Sequence, residues 1–233
     1  LKKIIGINPV IEALKNNTHI SKIEIYKQNN NIKIEEIIEI SKKKSIKILF
    51  VEKKESDSQG VIAYIEEYDY EKDFGEFLEK IVKNKESTVL ILDGIQDPRN
   101  FGAIIRSAEC FGVDGIIIPN RNSVKINETV IKTSTGAIEY VDIVPVTNIS
   151  QAIEQLKKIG YWIYGAEADG SKDFKKESYA EKAGVVLGSE GRGIRKKVKE
   201  NCDILVKIPM KGKINSLNVS VACGILLSQI SKK

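Results

Sequence analysis

From Thr88 onward, short apolar runs alternate with stretches of helical character, and this alternation restricts the possible folds more than any other feature. Thr88–Asp93, Gly115–Ile118, Val141–Val144, Tyr161–Ala166, Gly184–Leu187 and Ile204–Ile208 read as buried strands. Helical stretches fall near 101–111, 127–135, 150–158, 193–200 and 216–231. A strand that is apolar on both faces must be covered on both, and parallel neighbours need a crossover between them. The expected core is an α/β structure with a parallel sheet between helices. Ligands of such sheets bind beyond the C-terminal ends of the strands. That singles out the loops after Asp93, after Leu187 and after Ile208.

The first part of the chain carries a smaller pattern. Residues 4–16 read as a strand and a helix, with Asn8 as cap and Pro9 at the first helical position. Ser21–Tyr26 and Ile46–Val51 read as strands. Between them Ile34, Ile37, Ile38 and Ser41 mark one helical face, and Lys42–Lys44 place cations at its C-terminal end. Ser58–Tyr64 reads as a turn running into a strand. Such a unit is small but able to fold alone. Tyr68–Ser87 is rich in charge, and Phe74, Phe77, Leu78 and Ile81 suggest a helix leading onward. The expected organisation is a unit over 1–70, a linker over 71–86 and a larger unit over 87–233.

Composition narrows the chemistry. No run of about 18 apolar residues exists to span a membrane, and the N-terminus lacks the apolar core of a signal peptide. Cys110, Cys202 and Cys223 are widely spaced and form no CxxC pair, so neither a disulfide framework nor a metal site is indicated. A reducing, cytoplasmic setting is expected. His19 is the sole histidine and lies beside a turn, which makes a histidine-based triad implausible. Residues 1–86 hold 16 lysines against 16 acids, and residues 87–233 hold 21 cations against 16 acids. Arg99, Arg106, Arg121, Arg192 and Arg195 all lie in the second part. Arginine suits bidentate phosphate contacts, so a nucleic-acid partner is permitted.

The three strand-end loops carry most of the information. In Asp93-Gly-Ile-Gln-Asp-Pro-Arg-Asn-Phe-Gly102, Asn100 is expected to cap a helix on which Arg106 follows in the second turn. Gly188-Ser-Glu-Gly191-Arg-Gly193 has the spacing GxxGxG, not the GxGxxG of a dinucleotide site, yet its glycines suggest close backbone approach. Gly165–Lys172 nearly spells a phosphate-binding loop, but its lysine and hydroxyl stand in the wrong order. After Ile208, Pro209 ends the strand, and Asn215 or Ser216 is expected to cap a final helix. That helix is rich in small residues, Ser220, Ala222, Cys223 and Gly224. Each loop also has a bland reading, as an ordinary strand–turn–helix.

Taken in order, Asn100-x-Gly102-x-x-x-Arg106, Leu187-Gly-Ser-Glu-Gly191-x-Gly193 and Ile208-Pro-Met-x-Gly212 with Ser216-Leu-Asn-Val-Ser-Val-Ala222 closely resemble the SpoU/TrmH family. These are RNA ribose 2′-O-methyltransferases of the SPOUT class. Gly6-Ile-Asn-Pro-Val and Gln59-Gly-Val resemble, more briefly, that family's ribosomal-protein-like substrate-binding domain. Together the two parts resemble the RlmB-type enzymes acting on a guanosine of large-subunit ribosomal RNA. The resemblance implies S-adenosylmethionine as donor, a homodimer and a C-terminal trefoil knot. It implies donor contacts at Gly188, Ile208 and Leu217, and functional roles for Arg106, Asn100, Glu190, Ser216 and Asn218. Arg106 would stabilise the developing alkoxide, Asn100 fix its loop, and Glu190 orient backbone and arginines. Transfer RNA as substrate, or a non-catalytic RNA-binding protein on the same fold, are the alternatives. Arg99 and Ser58 stand where relatives often carry other residues, which bears on target choice.

Overall fold

The computed structural model describes residues 2–16, 18, 20–53, 55–65, 70–170, 172–189, 191–213 and 216–231. A four-stranded sheet of order β1-β4-β2-β3 comes first. Its strands are β1 (Lys2–Ile5), β2 (Ile20–Tyr26), β3 (Lys47–Val51) and β4 (Val61–Ile65), with helices α1 (Ile7–Lys15) and α2 (Lys33–Lys43). Helix α1 is not capped by Asn8. Gly6 occupies the cap position with φ 105°, a left-handed conformation that glycine adopts freely. Pairing of β1 with β4 brings the turn before β4 beside the helix start, so Gln59 Oε1 accepts from Ile7 N at 3.1 Å. The first turn is thus closed by a residue 52 positions away.

The second sheet has seven strands in the order β7-β6-β5-β10-β8-β11-β9, every neighbouring pair parallel. They are β5 (Ser87–Asp93), β6 (Gly115–Pro119), β7 (Asp142–Val146), β8 (Trp162–Ala166), the two-residue β9 (Lys172–Asp173), β10 (Lys182–Gly188) and β11 (Ile204–Lys207). The helices are α3 (Phe74–Ile81), α4 (Pro98–Cys110), α5 (Glu128–Ser134), α6 (Ile149–Lys158), α7 (Lys196–Lys199) and α8 (Val219–Ile230). In β5 the side chains alternate between two cores. Val89 and Ile91 pack with Phe77, Ile153 and Leu156 of α3 and α6. Leu90 and Leu92 join the other core with Ile104, Ile105 and Leu226 of α4 and α8. The period of two, buried on both sides, is the physical content of the apolar run.

Two helices differ in extent from expectation. The stretch near 193–200 yields only four helical residues, and the N–H groups just ahead of them bond carboxylates from other parts of the chain. Ile194 N donates to Glu167 Oε1 and Arg195 N to Asp93 Oδ2. Helix α8 starts at Val219, with Asn218 as its cap. Asn218 thus replaces Ser216 in that role, while Asn215 lies outside the described residues, as do His19 and Tyr68. Among the described residues no helix is long and apolar enough to cross a membrane.

The smaller sheet packs on the larger through α1, β1, α5 and the turn at Gly136–Tyr140. Glu139 is the polar centre of this contact. It accepts from Tyr70 OH at 3.0 Å and from Thr18 Oγ1 at 3.2 Å. Glu12 stands nearby and accepts from Tyr140 OH. Burial pushes the Glu139 carboxyl above the usual carboxylate range, and Glu12 adds to that, against the two hydrogen bonds. A raised acid is bound to its proton more tightly in the folded state. Its contribution to stability is therefore full below the ordinary carboxylate pKa and is lost as pH rises through the raised value. Glu139→Gln is expected to raise the melting temperature by a few degrees above neutral pH, on the scale of about 2–4 °C per kcal/mol for a chain this size. Melting curves from pH 5 to 8 should also flatten; an unaltered pH slope would contradict the assignment.

Candidate active site

Loops after β5 and β10 meet at the C-terminal edge of the large sheet, around a cavity of about 590 Å³. The first loop ends in Asp97-Pro98, and it is Asp97, not Asn100, that caps α4: its carboxylate accepts from Asn100 N at 2.8 Å. Proline at the first helical position needs no N–H partner there, which leaves Asp97 free to serve the next donors. The Asn100 side chain is thereby released for a tertiary contact. Asn218 Nδ2 donates to Asn100 Oδ1 at 2.9 Å, across 118 positions of sequence. The direction follows from the network. Asn218 Oδ1 already accepts from Ser220 N at 2.9 Å and Ser220 Oγ at 2.6 Å, so its NH₂ must face Asn100. The first and third loops are joined by this bond.

The second loop is held by two carboxylates. Asp93, at the end of β5, has a wholly buried side chain. Its Oδ1 lies 2.7 Å from Arg195 Nε and 2.6 Å from an Arg195 terminal nitrogen, while Oδ2 accepts from Arg195 N at 2.8 Å. A buried carboxylate is tolerated when both oxygens are bonded and a cation faces it. On the other side Glu167, just beyond β8, accepts from Ile194 N at 2.7 Å and faces Lys199 Nζ at 3.6 Å. Between these ties the chain doubles back so that Gly193 N bonds Ser189 O at 2.9 Å. This fold-back leaves no room at Gly188: an added Cβ would stand 2.0 Å from the Gly193 carbonyl carbon. The close approach expected of these glycines is the loop against its own backbone.

Gly188 and Ile208 flank one edge of the sheet. Leu187 and Val206 are both in register with Ala166 of the strand between them. At about 4.8 Å per strand, the two chain ends stand roughly 10 Å apart. Ile208 is half-buried against the core, whereas Met210 and Leu217 are 38% and 37% exposed. Ser216 is exposed on the same loop. Glu190 lies outside the described residues. Arg106 is exposed on α4 and does not line the cavity. Six positions along a helix place it about 9 Å further and about 120° round from Asn100. Its neighbour Ser107 faces α8, where a Cβ on Gly224 would lie 3.8 Å from Ser107 Oγ.

Reading the sequence missed Arg121 and Arg192 as cavity walls, along with the anchoring roles of Asp93, Arg195 and Glu167. Arg121 was within reach, because it follows the strand end at Pro119 and the same strand-end rule applies there. Both cavity acids are already engaged, Asp93 with Arg195 and Asp97 with the α4 cap. Arg121 and Arg192 make no ion pair among the described residues, so the cavity presents unspent positive charge.

Residues 87–228 match the model of the SpoU rRNA Methylase family, and residues 3–71 match that of the RNA 2′-O ribose methyltransferase substrate-binding family. A Staphylococcus saprophyticus protein named for the TrmH family of tRNA/rRNA methyltransferases is 43% identical over 237 aligned positions, covering 99% of this chain and 95% of its own. YacO of Bacillus subtilis, named likewise, is 38% identical with the same coverage. Among solved structures, the SpoU methyltransferase AviRb of Streptomyces viridochromogenes with AdoMet superposes with TM-score 0.80 at 20% identity, covering 99% of this chain and 89% of that one. The TrmH/SpoU tRNA modifying enzyme of A. aeolicus gives TM-score 0.57 at 28% identity, covering 68% of this chain and 83% of the other.

Proposed function

This chain belongs to the SpoU rRNA Methylase family and is an S-adenosylmethionine-dependent RNA methyltransferase, and we propose that its acceptor is the ribose 2′-hydroxyl of a guanosine in large-subunit ribosomal RNA. The observation that carries the reading is the joining of three separated loops at one sheet edge, through Asn218–Asn100 and Asp93–Arg195, beside a cationic cavity. When bound, the donor supplies a methyl group already activated by its positive sulfur. The residues fit such a group. Apolar Ile208, Met210 and Leu217 offer a surface for an adenine ring, and the loop at Gly188 offers backbone polar groups. A C-terminal trefoil knot belongs to the same reading.

On the acceptor side the chain grips and orients. Arg121 and Arg192 hold backbone phosphates, and Asn100 and Asn218 fix the floor on which the ribose rests. Residues 1–70 serve as the RNA substrate-binding domain, and 71–86 connect it to the methyltransferase domain at 87–233. Arg106 acts at the partner's cleft in a homodimer. It is exposed, with no hydrogen bond or ion pair among the described residues, on α4, which packs against α8, a mostly apolar and small-residue helix whose Val221 is 49% exposed. A helix of that kind is expected to be covered. Glu190 and Ser216 complete the site by orienting arginines and the third loop. We place the reaction in the cytoplasm, where Cys110, Cys202 and Cys223 persist as free thiols.

The test maps 2′-O-methyl sites in ribosomal and transfer RNA from cells with and without the gene. One large-subunit guanosine is expected to lose its mark. A lost mark in transfer RNA would move the substrate, and no lost mark would remove the enzyme reading.

A further inference from the structure

A second cavity, of about 800 Å³, opens at the C-terminal ends of β6 and β7, within the range of about 300–1,000 Å³ common for ligand sites. It lies next to the site described above, since Pro119 lines both cavities and the loop after it walls both. Arg121 and Asn122 face the first cavity, and Asn120, Ser123, Val124 and Lys125 face the second. The far wall is the segment Tyr70–Phe74 that joins the two sheets.

The chemistry of this cavity is unlike that of the first. Four exposed carboxamides line it, Asn120 from the β6 loop, Asn148, whose oxygen caps α6, and Gln151 and Gln155 from one face of α6. Partly exposed Phe74 offers an aromatic face. Ser123 Oγ is buried there with no hydrogen-bond partner among the described residues, an unmet bond that a ligand group can supply. The linking segment brings Glu71, Lys72 and Asp73, a cation between two acids, with the Asp73 carboxylate already capping α3, while Lys125 stands on the loop opposite. Carboxamides present a donor and an acceptor together and match base edges, and an aromatic ring stacks on a base face. Resting on the methyltransferase reading, we infer that this cavity takes an unstacked nucleobase of the RNA substrate, one that flanks the methylated residue. The cavity is then the element that selects sequence context. The RNA backbone crosses the Pro119–Lys125 loop from one cavity to the other, its phosphates on the arginine and lysine side.

The test uses the full chain with a large-subunit RNA transcript carrying 4-thiouridine. Irradiation is expected to crosslink peptides spanning 119–125 or 147–155, and Gln151→Ala/Gln155→Ala should remove those crosslinks. In steady-state methylation the double variant should raise KM for RNA about tenfold, as for loss of one stacked or paired base, with kcat within about twofold. Donor binding by calorimetry should not change. Both glutamines are exposed, so a melting curve serves as the folding control; Asn148 is left intact because its side chain caps α6. Unchanged crosslinks and KM would overturn the inference, as would crosslinks abolished by excess guanosine monophosphate alone, the sign of a free-nucleotide site. If wild-type protein methylates the transcript yet gives no crosslink here, the inference falls and the enzyme reading stands; if it methylates no RNA, both fall, since no methylated residue remains for the base to flank.

Discussion

Arg106→Ala is expected to lower methyl transfer by at least 10²–10³-fold, on the scale of losing one group that stabilises a developing oxyanion, while S-adenosylmethionine binds almost as before. The side chain is exposed and makes no hydrogen bond or ion pair among the described residues, so its removal should cost the fold little. A guanidinium is a planar cation with five N–H donors and no acceptor, which suits it to steady a forming alkoxide and a nearby phosphate, not to take a proton. Arg106→Lys should recover only part of the rate, because a point charge lacks the planar fork. Single-turnover kinetics beside calorimetry with the donor reads both quantities. Lost donor binding in Arg106→Ala would contradict this role. Because Arg106 stands outside the cavity of its own chain, mixing Arg106→Ala with a second inactive variant should restore activity if it serves a partner's site.

Gly188→Ala should be equally damaging by a different route. Its methyl would meet Gly193 carbonyl carbon at 2.0 Å, the carbonyl oxygen at 2.3 Å and Ile194 N at 2.3 Å. Ile194 N is held by Glu167, and Arg195 N just after it by Asp93, so this stretch of backbone cannot step aside without straining those bonds. The loop is expected to open, weakening donor affinity by 100-fold or more and lowering stability by roughly 1–3 kcal/mol, the usual cost of overpacking. Gly191→Ala is the control. Nothing lies within 4 Å of its added Cβ, and its φ of +80° confines the cost to backbone strain of about 1 kcal/mol. Equal donor affinity in Gly188→Ala and wild type would show that the loop is more yielding than its contacts indicate.

Much of this fold is legible because its signals are local. The strands at 87–93, 115–119 and 182–188 announce themselves as apolar runs, since burial on both faces removes any need for polar residues. The amphipathic helices α2 and α6 are equally plain in the spacing of their isoleucines and leucine. Caps proved less readable. Asn8, Asn100 and Ser216 are all plausible caps by type, but the caps are Gly6, Asp97 and Asn218. Cap preference separates neighbouring candidates by only about 1 kcal/mol, and a single tertiary bond outweighs that. Where Asp97 and Pro98 start α4 first, Asn100 is left to bond Asn218.

From its order of residues alone this chain was bound to form a parallel sheet with its chemistry at strand ends, because hydrophobic period and glycine placement act over a few positions. Which loops meet could not be read that way. The pairings Asn100–Asn218, Asp93–Arg195 and Glu167–Ile194 span 118, 102 and 27 positions, and strand order β5-β10-β8-β11 makes them neighbours. Long-range contact is a property of topology, where closing a loop costs entropy that only the assembled core repays. The same holds for the carboxamide cavity, whose walls come from 70–74, 118–126 and 145–155 and converge only once β6 and β7 lie side by side.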